Sequence, residues 1–153
     1  MTYRDEIAKQ AGLYAKEGFL CSESVLLAVS NFLKIKSELI PKIATGFGAG
    51  IGGRGEVCGA ISGGVIALGI KFGRNTPIKQ KTKPYWFAFE LLKRFEKEFN
   101  HITCLELTGC DLTTEAGRKR YANEKMWETK CRQYIETATA IVFDIISERT
   151  QAT

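Results

Sequence analysis

The sequence predicts an all-α fold: one domain over residues 1–153, a bundle of about five main helices with short accessory helices and a glycine-rich loop. Three observations predict it. Apolar residues recur at steps of three and four along most of the chain. Gly18, the glycines before Cys58, the break from Asn75 to Pro84, and Gly109 punctuate those stripes. No segment alternates apolar and polar residues for long enough to make a strand, and no internal repeat is visible.

The elements follow in order. Residues 3–17 are expected as a helix with Ile7, Ala11, Tyr14 and Ala15 on one face and Gly18 at its C′ position. A second helix runs from about Cys21 to Leu33, with Cys21 in its first turn and Val25, Val29, Phe32 and Leu33 inward. Residues 37–45 read as a short third helix, capped by Ser37, with Pro41 in the first turn where its missing N–H does no harm. The fourth is expected from Gly55 to Phe72, with Cys58 heading a stripe of Ile61, Val65, Leu68 and Phe72. Gly59, Gly63 and Gly64 each cost this helix about 1 kcal/mol relative to alanine. A close neighbour, either backbone or cofactor, is therefore expected against them.

Beyond the linker at 75–84, a fifth helix spans Tyr85 to Phe99, with Tyr85, Phe89, Leu92, Glu96 and Phe99 as its stripe. Thr103 and Glu106 form a T-x-x-E capping box around a short helix that starts at Cys104 and closes at Gly109. Thr113 or Thr114 caps another short helix through Glu115. The last long helix is expected from Glu124 to Glu148, with Trp127, Cys131, Ile135, Ala138, Val142 and Ile145 facing inward.

Composition excludes several classes. With 44% hydrophobic and 25% charged residues the chain reads as a soluble globular protein rather than a disordered one. Its amino terminus mixes acids with bases and has no apolar core, so no secretory signal is expected. Gly, Ser or Lys interrupts every apolar run short of the about 18 residues a membrane span needs. These features predict a cytoplasmic protein with no membrane contact. The net charge of +5 is dispersed over a linker (Lys79, Lys81, Lys83) and an exposed helix (Arg118, Lys119, Arg120), so no nucleic-acid partner is expected.

Five cysteines, Cys21, Cys58, Cys104, Cys110 and Cys131, are many for such a chain, and an odd number in a reducing compartment argues for metal or thiol chemistry over a disulfide framework. Cys21, Cys58 and Cys104 are each expected in the first turn of a helix, where free N–H groups and the positive dipole end favour an anionic sulfur. Cys131, inward on a facing helix, could complete a set of four that holds an iron–sulfur cluster or zinc. The intervals along the set, 58 − 21 = 37, 104 − 58 = 46 and 131 − 104 = 27, match no short ligand motif. On residues alone, three readings stay open: a metal or cluster site, thiol redox chemistry by the same cysteines, and cysteines that merely fill the core.

Other motifs carry less. Gly48, Gly50 and Gly53 spell G-x-G-x-x-G, but a dinucleotide site needs a strand before it and an acid about 20 residues on, and neither is present. Arg54 beside the following helix start leaves a looser anion site open. His101, the lone histidine, reads as an exposed helix-end residue.

Four segments, taken together and in order, carry a resemblance: Gly18-Phe19-Leu20-Cys21-Ser22-Glu23-Ser24-Val25, the stretch Gly46 to Gly73 with its CGAISGG, Cys104-Leu105-Glu106-Leu107-Thr108-Gly109, and Lys130-Cys131. The chain resembles the C_GCAxxG_C_C family of bacterial and archaeal redox-active proteins. The resemblance carries the family positions onto Cys21, onto Cys58 with Gly59, Ala60 and Gly63, and onto Cys104 and Cys131. The order here is Cys-Gly-Ala where the family label writes Gly-Cys-Ala, and Cys110 is additional. A similar domain occurs in split-Soret cytochromes, where it looks like an iron–sulfur domain. This chain has no C-x-x-C-H, so no c-type haem is expected.

What the resemblance implies is an electron-transfer protein rather than a substrate-converting enzyme. Cys21, Cys58, Cys104 and Cys131 would ligate an iron–sulfur cluster, [2Fe–2S] ahead of zinc or no metal, with Gly59 beside it. A redox protein is the expected partner, and a homodimer is compatible with the sequence. The alternatives are a thiol–disulfide enzyme or sensor using the same four cysteines, and a metal-free helical binding module.

Overall fold

The structure, a computed structural model, describes residues 1–79, 81 and 83–151. Residues 80, 82, 152 and 153, which the expected domain includes, lie outside the described residues. The fold is all-α. Among the described residues the α-helices are α1 (Tyr3–Glu17), α2 (Cys21–Phe32), α3 (Gly59–Phe72), α4 (Trp86–Phe99), α5 (Cys104–Thr108), α6 (Glu115–Asn123) and α7 (Arg132–Gln151). Pairing of extended backbone among them is limited to one isolated bridge between Val57 and Thr103.

α3 is the central element. It packs against α2, α4 and α7, while α1 lies across α2 and α7. Its inner residues Ala60, Ile61, Ala67 and Leu68 are fully buried. Its glycines allow this crowding. A Cβ on Gly63 would overlap the Ser22 carbonyl and lie 2.9 Å from Ser22 Cα, so α2 approaches to backbone distance. A Cβ on Gly64 would come within 2.8 Å of Leu91 on α4 and 3.0 Å of Val142 on α7.

Local signals placed most helix ends. α1 begins in a reciprocal capping box between Thr2 and Asp5 and stops at Gly18, whose φ of 111° only glycine adopts easily. α5 begins at Thr103, whose hydroxyl accepts from Glu106 N–H, and ends at Gly109 in the left-handed region. Thr114 caps α6 by accepting from Gly117 N–H. Ion pairs join α1 to α7 through Arg4 and Asp144, and α4 to α7 through Arg94 and Glu148.

Four expectations are corrected. The third helix over 37–45 is instead a run of turns followed by a 3₁₀ segment, Lys42–Phe47, because a residue before proline, here Ile40, is disfavoured in the α region. The fourth helix starts at Gly59, four residues late, because Gly55 is left-handed and Val57 is extended against Thr103.

The stripe assigned to α4 is only partly inward: Phe87, Leu91 and Phe95 are the buried residues and Leu92 and Phe99 pack partly against the core, while Tyr85 is 57% and Phe89 68% exposed. This helix is apolar on two faces, and contact with Phe72 and Tyr134 selects the one that includes Phe87 and Phe95. The last helix is not continuous from Glu124. Lys125 turns left-handed, a π-helical turn spans Trp127–Cys131, and α7 begins at Arg132. Cys131 therefore ends a π turn instead of lying inside an α-helix.

Candidate functional site

The glycine-rich segment is a left-handed turn. Ala49, Gly50, Ile51, Gly52 and Gly53 are consecutive residues with positive φ, followed by Gly55. Each L side chain in that conformation costs about 1–2 kcal/mol, so glycine at most of these positions is what the path requires. The turn is tied by Gly52 N–H to Gly46 C=O at 2.9 Å and by Glu56 N–H to Gly50 C=O at 2.9 Å. It folds over α5: a Cβ on Gly50 would lie 2.8 Å from Cys104 Cβ. Cys104 N–H donates to Glu56 C=O at 2.7 Å, and Cys58 N–H to Ile102 C=O at 2.8 Å, so the strand-like pairing at Val57 and Thr103 sets Cys58 beside Cys104.

Four of the five cysteines line one partly enclosed cavity of about 200 Å³. Cys21 is the first residue of α2, Cys58 is the N-cap of α3, Cys104 is the first residue of α5, and Cys131 ends the π turn before α7. Gly59 lines the same cavity, and a Cβ there would run into Cys21 Sγ. The remaining wall is mostly apolar: Leu20, Ala49, Leu107, Leu112, Trp127 and Tyr134, with Thr108 and Tyr121 supplying hydroxyls. The cavity is many times the about 10–15 Å³ that one water needs. A donor set of four thiols, with no His, Asp or Glu among the lining residues, has the softness that suits iron–sulfur, zinc or copper(I). Among the described residues no three His, Cys, Asp or Glu side chains are gathered as ligands of one ion.

The electrostatics are those of buried thiols. Burial, which disfavours the charged form, raises all four above the ordinary cysteine value, Cys104 to about 11 and Cys131 to about 12. Repulsion among the sulfurs adds to the rise. Each sulfur also has a donor acting the other way. For Cys21 these are the backbone N–H groups of Ala49 and Ser22 together with its own, for Cys58 that of Ala60, for Cys104 the Thr108 hydroxyl, and for Cys131 the Tyr121 hydroxyl at 3.2 Å. Tyr134 braces the wall by donating to Leu107 C=O at 2.9 Å.

Cys110 is buried but outside the cavity lining, and its Sγ lies 3.5 Å from Thr108 C=O. His101 is exposed and pairs with Glu106 across 3.1 Å, away from the site. The helix start that Arg54 was expected to flank is capped by Cys58 instead, four residues further on. Sequence reasoning missed Tyr121, Thr108 and Ala49. Thr108 and Ala49 lie inside segments already singled out, four residues from Cys104 and nine from Cys58. Tyr121 carried no signal, because it lies on an otherwise exposed helix. All five cysteines are free thiols.

Residues 19–145 match the family described as "Putative redox-active protein (C_GCAxxG_C_C)". No curated protein and no solved structure matches the chain.

Proposed function

The chain belongs to the C_GCAxxG_C_C family of redox-active proteins, and on that premise we propose that Cys21, Cys58, Cys104 and Cys131 hold an iron–sulfur cluster, of the [2Fe–2S] type, in a cytoplasmic electron-transfer protein. One observation carries the reading: four cysteines far apart in the chain line a single apolar cavity that offers no other ligand type. A bound cluster would supply one-electron chemistry.

The protein's own residues do the rest. On holding such a group the four thiols would release their protons, as metal-bound thiols must. Ala49, Ser22 and Ala60 direct backbone N–H groups at the sulfur anions of Cys21 and Cys58. Leu20, Leu107, Leu112 and Trp127 limit water at the sulfurs, and Gly59 leaves Cys21 the space a side chain would take. The electron comes from one redox protein and passes to another, so no substrate needs to enter the cavity.

The thiol–disulfide alternative is less well supported. Exchange requires a thiolate, and burial holds each of the four thiols protonated near neutral pH. The deciding experiment is anaerobic purification, with iron–sulfide reconstitution if needed, followed by iron and acid-labile sulfide analysis, visible absorbance and electron paramagnetic resonance after reduction. Iron and sulfide in equal amounts with a reducible chromophore are expected. Zinc alone, or no metal and one reversible disulfide, would overturn the reading.

A further inference from the structure

Three of the site cysteines stand at helix starts, where free backbone N–H groups are at hand; Cys131 does not. It ends a π turn that runs directly into α7, so the following N–H, that of Arg132, is already committed to Trp127 C=O. Cys131 is also the least buried of the four. What faces its sulfur is a side chain from another element: the Tyr121 hydroxyl, 3.2 Å from Cys131 Sγ.

The placement of Tyr121 is otherwise hard to account for. α6 buries none of its residues. Its hold on the protein is polar: Arg118 Nη1 donates to Leu112 C=O at 3.0 Å and Arg120 Nη1 to Gly109 C=O at 2.9 Å. These bonds anchor α6 to the segment after α5, and Tyr121 is the residue of α6 that reaches the cavity wall. While Cys131 is protonated, either group can donate. Once the sulfur has lost its proton, it is an acceptor alone, and the hydroxyl must donate.

We propose that Tyr121 is a positioning residue of the cysteine site, whose hydroxyl hydrogen-bonds Cys131 Sγ and raises the one-electron reduction potential there. The inference rests on the cluster reading above. A donor to a ligating sulfur stabilises the more negative, reduced state more than the oxidised one, so the potential rises with the bond and falls without it. The reduction adds one electron from an external reductant and moves no proton, because the phenol keeps its own as it donates the bond.

The test is Tyr121→Phe, which keeps the ring in the wall and removes only the hydroxyl. In the reconstituted protein, the variant is expected to hold as much iron as the unsubstituted chain. Its ratio of reduced to oxidised protein at a given solution potential should fall about tenfold, which is a drop of 59 mV for one electron. An unchanged potential at equal iron content overturns this inference and leaves the cluster reading standing. A folded variant that loses its iron assigns Tyr121 to holding the group and overturns the claim about potential. An unsubstituted chain that takes up no cluster overturns both.

A second readout needs no metal. The S–H infrared band that disappears in Cys131→Ser is expected to shift in Tyr121→Phe, and a coincident band would mean that the contact is not formed.

Discussion

Gly59 stands directly against Cys21. A Cβ at position 59 would run into Cys21 Sγ and come within 3.0 Å of Phe47 C=O. The glycine that opens α3 is thus what leaves the sulfur of the first cysteine its place in the cavity. Gly59→Ala is expected to displace the Cys21 thiol and lower the iron retained on reconstitution. Its unfolding free energy should fall less than that of Gly63→Ala, because a cysteine side chain can rotate away while the Ser22 backbone cannot. Overpacking of that kind costs about 1–3 kcal/mol. Urea unfolding of both variants, with iron analysis, checks the order.

Within the left-handed turn, Gly50 and Gly52 separate two effects. Both have positive φ, but a Cβ on Gly50 would lie 2.6 Å from Glu56 N and 2.8 Å from Cys104 Cβ, whereas one on Gly52 meets nothing within 4 Å. Gly52→Ala is expected to cost about 1 kcal/mol of backbone strain. Gly50→Ala should cost more and disturb Cys104 as well. Equal unfolding midpoints would contradict the crowding at Gly50.

The orientation of α4 can be read by paired truncations. Leu91 is fully buried, so Leu91→Ala should cost about 2–5 kcal/mol. Phe89 is 68% exposed, and Phe89→Ala should change stability by no more than about 0.5 kcal/mol. A reversed order would return the helix to the face that its aromatic spacing suggests.

Stability should weaken in acid partly through Glu148. Hydrogen bonds from Arg94, at 3.0 and 2.8 Å, hold its carboxyl below the ordinary glutamate value. A group with a depressed folded pKa contributes stability above its unfolded pKa, here about 4.5, and that contribution is lost as pH falls through the folded value. Glu148 is 59% exposed, so screening limits the effect to about 1 kcal/mol or less. Glu148→Gln should be less stable at pH 7 and converge with the unsubstituted protein below pH 4, in thermal melts at about those two values.

The fifth cysteine distinguishes a ligand set from mere thiol richness. Single replacement of Cys21, Cys58, Cys104 or Cys131 by serine is expected to abolish or sharply reduce iron incorporation, whereas Cys110→Ala should retain it, since Cys110 lies outside the cavity lining. Iron content per folded protein, with folding checked by circular dichroism, decides the matter. Loss of iron on replacing Cys110 would require a different ligand set.

What could be read in the sequence was whatever is decided within a few residues. Thr103 with Glu106, and Gly18 and Gly109, set helix ends through bonds that close inside one turn, and they put Cys21 and Cys104 at helix starts before any packing is known. The four cysteines and Gly59 were singled out by expected helix position and by the resemblance, with their chemistry left open; that they line one cavity is a fact of the fold.

Tertiary structure decided the rest. Apolar spacing on α4 fits two faces equally well, and only the approach of Phe72 and Tyr134 chose the buried one. Cys58 became an N-cap because Val57 pairs with Thr103, a contact 46 residues away. Cys131 left the α-helix for a π turn, and the group that faces its sulfur, Tyr121, sits on a helix with no apolar face to betray it. Periodicity reports which residues share a side of an element, but not what lies opposite. That is settled by contacts between distant segments, where close approach and a single hydrogen bond outweigh local preference.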